Sequence, residues 1–289
     1  MAWGNFCSLP CPARRWDENY RSLMLGFLPL IGLIIGILWS AVYFGLVFLG
    51  FPFFVVAFII TFLPFALCGF MHMDGFMDCC DAIMSRRPLE QKQLILKDSN
   101  TGAFAVVGMI FFILGYFCFL STAVTTGVDF ANMVMIVVMS RAISGLHVLI
   151  CKPMAQSQYA ALKVQETEAA ETEIESGAEA EPAEKTETTL AEGEPAEETL
   201  SEELPMKSDK VSAKSGMILL LVLLAVITGL AFWCSSLWAA TLIVSAATAL
   251  GSLISIQCAK KNLGGMNGDI AGFGILWGEL MGVFALVLC

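Results

Sequence analysis

The stretch AFAVVGMIFFILGYFCFLSTAV, residues 103–124, contains no charged side chain and is long enough to cross a lipid bilayer as one helix. Six further apolar segments of comparable length occur at residues 23–44, 46–69, 130–151, 216–234, 237–258 and 270–288. Because a backbone in lipid must satisfy its own hydrogen bonds, we expect all seven segments to be helices. The sequence therefore predicts an all-α polytopic integral membrane protein with about seven transmembrane helices.

The composition agrees with a membrane protein. Hydrophobic residues make up 57% of the 289 and charged residues only 15%, whereas soluble domains carry about a quarter charged residues. The formal net charge of -10 is local, since 15 of the 26 acidic residues are glutamates within residues 166–203. The rest of the chain is slightly basic, so an acidic substrate is compatible with it. Nothing in the composition indicates nucleic-acid binding.

The basic residues predict the orientation of the chain in the membrane. Fifteen of the 16 Lys and Arg residues fall within residues 14–21, 86–97, 152–214 and 260–261. With seven spans, these four regions lie on one side, and the opposite connections contain no Lys or Arg. The positive-inside rule places the four regions and the N-terminus in the cytoplasm, and the C-terminus outside.

The acidic segment divides the membrane part of the chain. Residues 155–215 are rich in Glu, Ala, Thr and Pro, and such a composition cannot bury enough apolar surface to order its backbone. We expect a disordered, low-complexity cytoplasmic loop there. It would separate a membrane domain over residues 1–154, with spans one to four, from a second over residues 216–289, with spans five to seven.

The motif HMDGFMDCCD, residues 72–81, places polar residues directly after the second apolar segment. Asp74, Asp78 and Asp81 have the spacing i, i+4, i+7, which on a helix forms one stripe. Three neighbouring carboxylates repel one another unless a cation lies between them, and Mg²⁺ commonly bridges carboxylates to substrate phosphates. The stripe therefore predicts a Mg²⁺ site, and His72 is a candidate to orient a carboxylate or to move a proton.

A second polar motif, LKDSNTG at residues 96–102, precedes the third apolar segment. Lys97 is a candidate cation for a phosphate, Asp98 a further metal ligand and Ser99 a hydrogen-bond donor to substrate. Gly102 stands where a helix begins, and the N-terminus of that helix is a natural anion site. The same pattern also fits an ordinary helix cap.

A third motif, NLGGMNGD at residues 262–269, precedes the last apolar segment on the same side of the membrane. Its three glycines allow a backbone to approach a ligand closely. A plain turn would need fewer glycines, so the motif predicts substrate binding at Gly264, Gly265, Asn267 and Gly268, with Asp269 as a further metal ligand.

Two ionisable residues lie inside apolar segments, where a charge is costly. Arg141 would reach a substrate phosphate if a cavity enters from the cytoplasmic side. The alternative is a structural ion pair between Arg141 and Glu279.

These motifs together resemble the adenosylcobinamide-GDP ribazoletransferase, or cobalamin synthase, family. HMDGFMDCCD is similar to that family's H-x-D-G-x-x-D-x-x-D signature, LKDSNTG to its K-D-S-x-x-G segment, SRAISGL to its segment with an arginine in the membrane, and GGMNGDIAG to its G-G-x-T-G-D-x-x-G segment. Cys79, Cys80 and Asn267 depart from the usual residues, and the acidic insert is atypical. The agreement of these motifs in order covers nearly the whole chain outside the insert.

The resemblance implies a transferase for the last assembly step of the cobalamin nucleotide loop, in the cytoplasmic membrane of a bacterium. Its substrates would be adenosylcobinamide-GDP and α-ribazole or its 5′-phosphate, its second product GMP and its cofactor Mg²⁺. The catalytic residues would be His72, Asp74, Asp78, Asp81, Lys97 and Arg141. The sequence leaves open whether the chain forms homo-oligomers or assembles with other enzymes of the pathway.

Two other functions fit parts of the pattern. A membrane phosphotransferase of the CDP-alcohol type also uses a cluster of aspartates around Asp-Gly, but its motif continues with Ala-Arg, which does not follow Gly75. A divalent-cation transporter would place carboxylates near the middle of the bilayer, whereas here they cluster on one side.

Overall fold

The computed structural model describes residues 1–11, 17–154, 212–235 and 237–289, and these ranges are built from helices. A 3-10 turn at Glu18–Tyr20 precedes α2. The α-helices are α1 (Ala2–Phe6), α2 (Arg21–Gly26), α3 (Leu28–Phe48), α4 (Phe53–Leu67), α5 (Met71–Met84), α6 (Leu89–Ile95), α7 (Ala103–Thr126), α8 (Phe130–Ile150), α9 (Ala213–Cys234), α10 (Trp238–Leu263) and α11 (Gly268–Leu288).

The predicted membrane-spanning helices are confirmed, and one of them is unusual. Among the described residues, six helical stretches are long and apolar enough to cross a membrane: α2 with α3, and α7 to α11. The remaining predicted segment, residues 46–69, corresponds to α4, which has 15 residues and a length of about 22 Å. The chain then bends by 90° into α5, which is not one of the six spanning helices.

The bend between α4 and α5 is made by two residues in the left-handed region. Gly69 has a φ of 62° and Phe70 a φ of 59°. Such values favour glycine, and for a phenylalanine they are uncommon. The turn sends the aspartate motif away from the direction of α4 and into contact with α7 and α11.

Helices α8 and α11 are the most enclosed of the spanning helices. In the most apolar stretch of each, 72% and 67% of the residues are buried. A Cβ added at Gly32 would lie 2.9 Å from the carbonyl oxygen of Val137, and one at Gly36 would lie 2.9 Å from the Cα of Val134. These two glycines therefore let the backbone of α3 lie directly against α8. Gly278 likewise brings α11 against α10.

The connections that carry the polar motifs gather at one end of the bundle. Ser8 donates from its backbone N–H to the carbonyl of Leu67 at 2.8 Å. The side chain of Gln93 donates to the carbonyl of Leu263 at 2.9 Å. A parallel bridge joins Pro153 to Met266. The contacts at Gln93 and Pro153 thus bring the described parts of three of the predicted regions to the same end of the bundle.

The predicted acidic loop falls almost entirely on residues 155–211, outside the described part of the chain. Its predicted C-terminal boundary differs slightly from the structure, because α9 already begins at Ala213, where Ser212 caps the helix by accepting from Lys214 N–H.

Candidate active site

The aspartate motif lies on the helix α5, so that its three carboxylates form one stripe. Its apolar side is buried: Phe76 stacks on Phe273 of α11 with ring centroids 5.3 Å apart, and meets Phe112 of α7 at 5.2 Å. On the polar side, Asp74 is exposed and Asp78 is half-buried. Because α5 is wedged between α7 and α11 at one end of the bundle, its carboxylates lie beside the first turns of both helices.

Asp78 lies at the centre of a group of carboxylates. Partial burial, and after it the charges of Asp74, Asp269 and Asp81, raise the pKa of Asp78 to about 7. Within the described residues, no hydrogen-bond donor contacts the side chains of Asp74 or Asp78. The site therefore concentrates negative charge that a cation would stabilise.

Asp81 has a different environment from the other two aspartates of the stripe. Its Oδ2 accepts from the backbone N–H of Gly102 at 2.5 Å, and its Oδ1 accepts from the N–H of Ala105 at 3.3 Å. The N-terminus of α7, which the sequence indicated as a natural anion site, thus holds a carboxylate of the chain itself. A substrate phosphate bound at the same two N–H groups would have to displace Asp81.

The start of α11 is held against α5 by a glycine. A Cβ added at Gly75 would lie 2.7 Å from the Cα of Asp269 and 3.0 Å from its carbonyl oxygen. Asn267 caps α11 by accepting from the N–H of Ile270 at 2.9 Å, and it donates to Asp269 Oδ2 at 2.6 Å. The contact between the two backbones fixes Asp269 next to the aspartate stripe.

The glycine turn before α11 has structural contacts of its own. Gly264 ends α10 with a φ of 83°, which favours glycine. A Cβ at Gly265 would lie 2.9 Å from the backbone nitrogen of Met154. Met154 N–H in turn donates to the carbonyl of Met266 at 3.0 Å. Two of the glycines predicted to bind substrate are thus required by the turn itself, and Gly268 is the first residue of α11.

The loop between α6 and α7 is exposed beside the site. Lys97, Asp98 and Ser99 are all exposed. Asp98 Oδ1 accepts from the backbone N–H of Asn100 at 3.0 Å and from its side-chain amide at 2.7 Å. These hydrogen bonds lower the pKa of the Asp98 carboxyl. Within the described residues, no contact links these three side chains to the carboxylates of α5, although Gly102 at the end of the loop touches Asp81.

Arg141 is placed in the ion pair that the sequence offered as the alternative. Its Nη1 lies 2.5 Å from Glu279 Oε1, and both side chains are almost completely buried. Arg141 Nη2 also donates to the sulfur of Cys68 at 3.2 Å, at the end of α4. The structure therefore gives Arg141 protein partners on α4, α8 and α11, and does not bring it to the carboxylate stripe.

His72 is also separated from the exposed carboxylates. It is 7% exposed, and its backbone lies against Gly272 of α11. Burial, and after it the charge of Arg141, lower the pKa of His72 to about 3. A histidine with so low a pKa is a weak proton acceptor, so this arrangement does not favour it as a general base.

The two cysteines within the motif are packing residues. Cys79 is fully buried. Cys80 is 7% exposed, and a Cβ at Gly108 of α7 would lie 2.9 Å from its sulfur. Small apolar side chains at these positions let α5 approach its neighbours closely.

The donor set suits a hard divalent cation. Among the described residues, no three His, Cys, Asp or Glu side chains are already arranged as a complete metal site. Mg²⁺, however, is usually bound through one or two carboxylates together with water and substrate phosphates. Asp74 and Asp78, whose side chains accept from no donor among the described residues, fit this mode of binding, with Asp269 beside them.

Comparisons with known proteins agree on one family. The family model for cobalamin-5-phosphate synthase matches residues 1–174 and 188–287. A curated protein of Clostridium perfringens (strain 13 / Type A), named adenosylcobinamide-GDP ribazoletransferase, is 30% identical over 286 residues, covering 99% of this chain and 95% of the relative. Relatives of the same name from Clostridium botulinum (strain Eklund 17B / Type B) and Geobacillus kaustophilus are 43% identical over 110 residues and 34% identical over 137 residues.

These two shorter matches cover 38% and 45% of this chain, and 44% and 52% of the respective relatives. No solved structure matches the chain.

Proposed function

This chain belongs to the cobalamin-5-phosphate synthase family and is a transferase of cobalamin nucleotide-loop assembly, and we propose that it joins adenosylcobinamide-GDP to α-ribazole or its 5′-phosphate with Mg²⁺ bound at α5. The observation that carries the metal assignment is the group of carboxylates formed by Asp74, Asp78 and Asp269. Their charges are close enough to raise the pKa of Asp78, and no protein cation accompanies them among the described residues.

The reaction needs charge neutralisation and alignment more than covalent help from the protein. A ribose hydroxyl attacks the phosphorus nearer to cobinamide, the P–O bond to GMP breaks, and the hydroxyl proton is released. Bound Mg²⁺ would neutralise the oxygens of the diphosphate and support the departing phosphate. Asp74 and Asp78 would hold it, and Asp269 is placed to complete the carboxylate group.

The hydroxyl proton needs an acceptor near the same stripe. The aspartates of α5 are partly open to the surface, whereas His72 is buried behind them. We therefore favour an aspartate over His72 as the proton acceptor, and assign His72 to packing against α11.

The remaining predicted contacts concern the substrate. Lys97 and Ser99 are exposed on the loop that ends at Gly102, where they are free to approach phosphate oxygens. The turn over residues 264–268 is proposed to meet the nucleotide or the corrin side chain. Asp98 is proposed as an outer metal ligand only if the loop moves toward α5, and Arg141 as a phosphate contact only if its pair with Glu279 opens.

The site is proposed to face the cytoplasm of a bacterial cell. This side is supported by the Lys and Arg residues, which accompany the connections at the site end and are missing from those at the other end. A cysteine introduced at Ser208 should react with a reagent applied from the cytoplasmic side. One introduced at Thr126 should not, and reversed labelling would contradict the orientation.

The activity is tested with the purified chain in liposomes, supplied with adenosylcobinamide-GDP, α-ribazole and Mg²⁺. GMP and adenosylcobalamin should appear in equal amounts, and EDTA should stop both. If the folded protein releases no GMP with either α-ribazole or its 5′-phosphate, the proposed substrates are wrong. GMP release that continues in EDTA would refute the metal alone.

A further inference from the structure

Helix α7 begins without a capping side chain of its own. Its N-cap residue is Gly102, which has no side chain to accept the free N–H groups of the first turn. An N-cap side chain normally accepts from the second or third residue of the helix. Here the third residue is Ala105, and its N–H donates to Asp81, a residue of another helix. Asp81 thus replaces the missing cap.

The glycine at position 102 is explained by this contact and not by its backbone conformation. Gly102 has φ -84° and ψ 171°, values that any residue adopts. A Cβ added there, however, would fall on the carboxylate of Asp81. A side chain at position 102 would therefore displace the carboxylate without straining the backbone.

We propose that Asp81 is a positioning residue that fixes α5 by capping α7, and that it is not a ligand of the metal. The inference rests on the proposed function for what is positioned, namely Asp74 and Asp78. Both oxygens of Asp81 already accept backbone N–H groups that have no other acceptor in the first turn of α7. A metal at Asp81 would compete with these bonds at the positive end of the helix dipole.

The position of Asp81 on α5 explains how the cap acts at a distance. At 3.6 residues per turn, residues 74, 78 and 81 lie within about 60° of the helix circumference. Holding Asp81 against α7 therefore sets the rotation of the whole stripe. Gly75, pressed against Asp269, fixes the opposite end of α5. Two contacts on different neighbours leave the helix little freedom to turn or slide.

Four variants of the full-length protein separate positioning from metal binding. Asp81→Asn keeps an oxygen that accepts from an N–H but removes the charge, and Asp81→Ala removes both. Gly102→Ala changes no oxygen and displaces the carboxylate. Asp78→Asn is the matched change at a proposed metal ligand.

Hydrogen–deuterium exchange measures whether Asp81 caps α7, and it does not depend on the enzyme being active. The amides of Gly102 and Ala105 should exchange at least about tenfold faster in Asp81→Ala and Gly102→Ala than in the unmodified protein, because their acceptor is lost. Asp78→Asn should keep slow exchange at both amides, whereas Asp81→Asn, which has one oxygen left to accept, should exchange at a rate between those of Asp81→Ala and the unmodified protein. Unchanged exchange in Asp81→Ala would overturn the proposal.

The affinity of the metal site is measured with Mn²⁺ in place of Mg²⁺, by electron paramagnetic resonance. Asp81→Asn should bind Mn²⁺ within about twofold of the unmodified protein, and Asp78→Asn at least about tenfold more weakly. The kcat for GMP release should fall about 10- to 100-fold in Asp81→Ala and Gly102→Ala, and Asp81→Asn should restore most of it. Equal loss of Mn²⁺ binding in Asp81→Asn and Asp78→Asn would overturn the proposal.

The two proposals fail in different ways. If the unmodified protein neither binds Mn²⁺ nor releases GMP, the proposed function is wrong, but the exchange rates still decide whether Asp81 caps α7. If the unmodified protein is active and Asp81→Ala exchanges normally, only the positioning role is refuted.

Discussion

The buried pair of Arg141 and Glu279 offers a perturbation whose size follows from the structure. The two side chains are 2% and 0% exposed, and their nearest nitrogen and oxygen atoms are 2.5 Å apart. Glu279→Leu would leave the guanidinium buried without its counter-ion. Removing one partner of a buried pair costs about 3–5 kcal/mol, whereas replacing both by apolar groups is often neutral.

The two single variants should not be equivalent. Arg141 cannot lose its proton, and among the described residues only the carbonyl of Val137, Ser140 Oγ and Cys68 Sγ would remain to accept from it. We therefore expect Glu279→Leu to lower the free energy of unfolding by about 3 kcal/mol or more. Arg141→Met should cost less, about 1–3 kcal/mol, because a buried carboxyl can become neutral by protonation.

The assay is reversible unfolding in mixed detergent micelles with increasing SDS, followed by tryptophan fluorescence, together with GMP release. The double variant, Arg141→Met with Glu279→Leu, should regain stability to within about 1 kcal/mol of the unmodified protein. Additive losses in the double variant, or a loss below about 1 kcal/mol in Glu279→Leu, would refute the reasoning. A stable and active double variant assigns Arg141 a structural role, and a stable but inactive one supports the phosphate contact predicted from the sequence.

Three further predictions follow from the contacts around α5 and α11. Asn267→Ala should lower the free energy of unfolding by about 1 kcal/mol through loss of the cap on Ile270, and Asn267→Thr by only a few tenths, both measured by SDS unfolding. Gly75→Ala should lower GMP release at least about tenfold, because its Cβ would meet the backbone of Asp269, whereas Gly45→Ala, with nothing within 4 Å, should not. Activity lost in EDTA should return with Mg²⁺ or Mn²⁺ and not with Ca²⁺, whose preferred coordination is larger and looser; restoration by Ca²⁺ would count against the proposed site.

Much of the fold was accessible from the sequence because membrane helices depend on local hydrophobicity. The segments predicted at 103–124 and 130–151 end within two residues of α7 and α8. The segment at 237–258 was predicted five residues too short, since α10 continues to Leu263 through Lys260 and Lys261. Those lysines lie in the last turn, where cations are favourable, so a rule that ends a span at its first charge stops too early.

The bend after α4 and the role of Asp81 were not accessible in the same way. A left-handed phenylalanine at position 70 is not a pattern that a sequence reveals, and it sets the direction of α5. The i, i+4, i+7 spacing places Asp81 with Asp74 and Asp78, but its partners lie 21 and 24 residues further on. One signal was present: a helix that begins at Gly102 has no side chain to cap it, which indicates a cap from elsewhere.

The central claim is that the carboxylates of α5 hold the metal ion that the transfer requires. It is tested most directly by the rate of GMP release at saturating Mg²⁺ in Asp78→Asn. The control is Asp129→Asn, which replaces a capping carboxylate at the start of α8, at the other end of the bundle. Asp78→Asn should lose about 100-fold or more of the rate while remaining folded, and Asp129→Asn should lose little. A rate near that of the unmodified protein in Asp78→Asn would contradict the account.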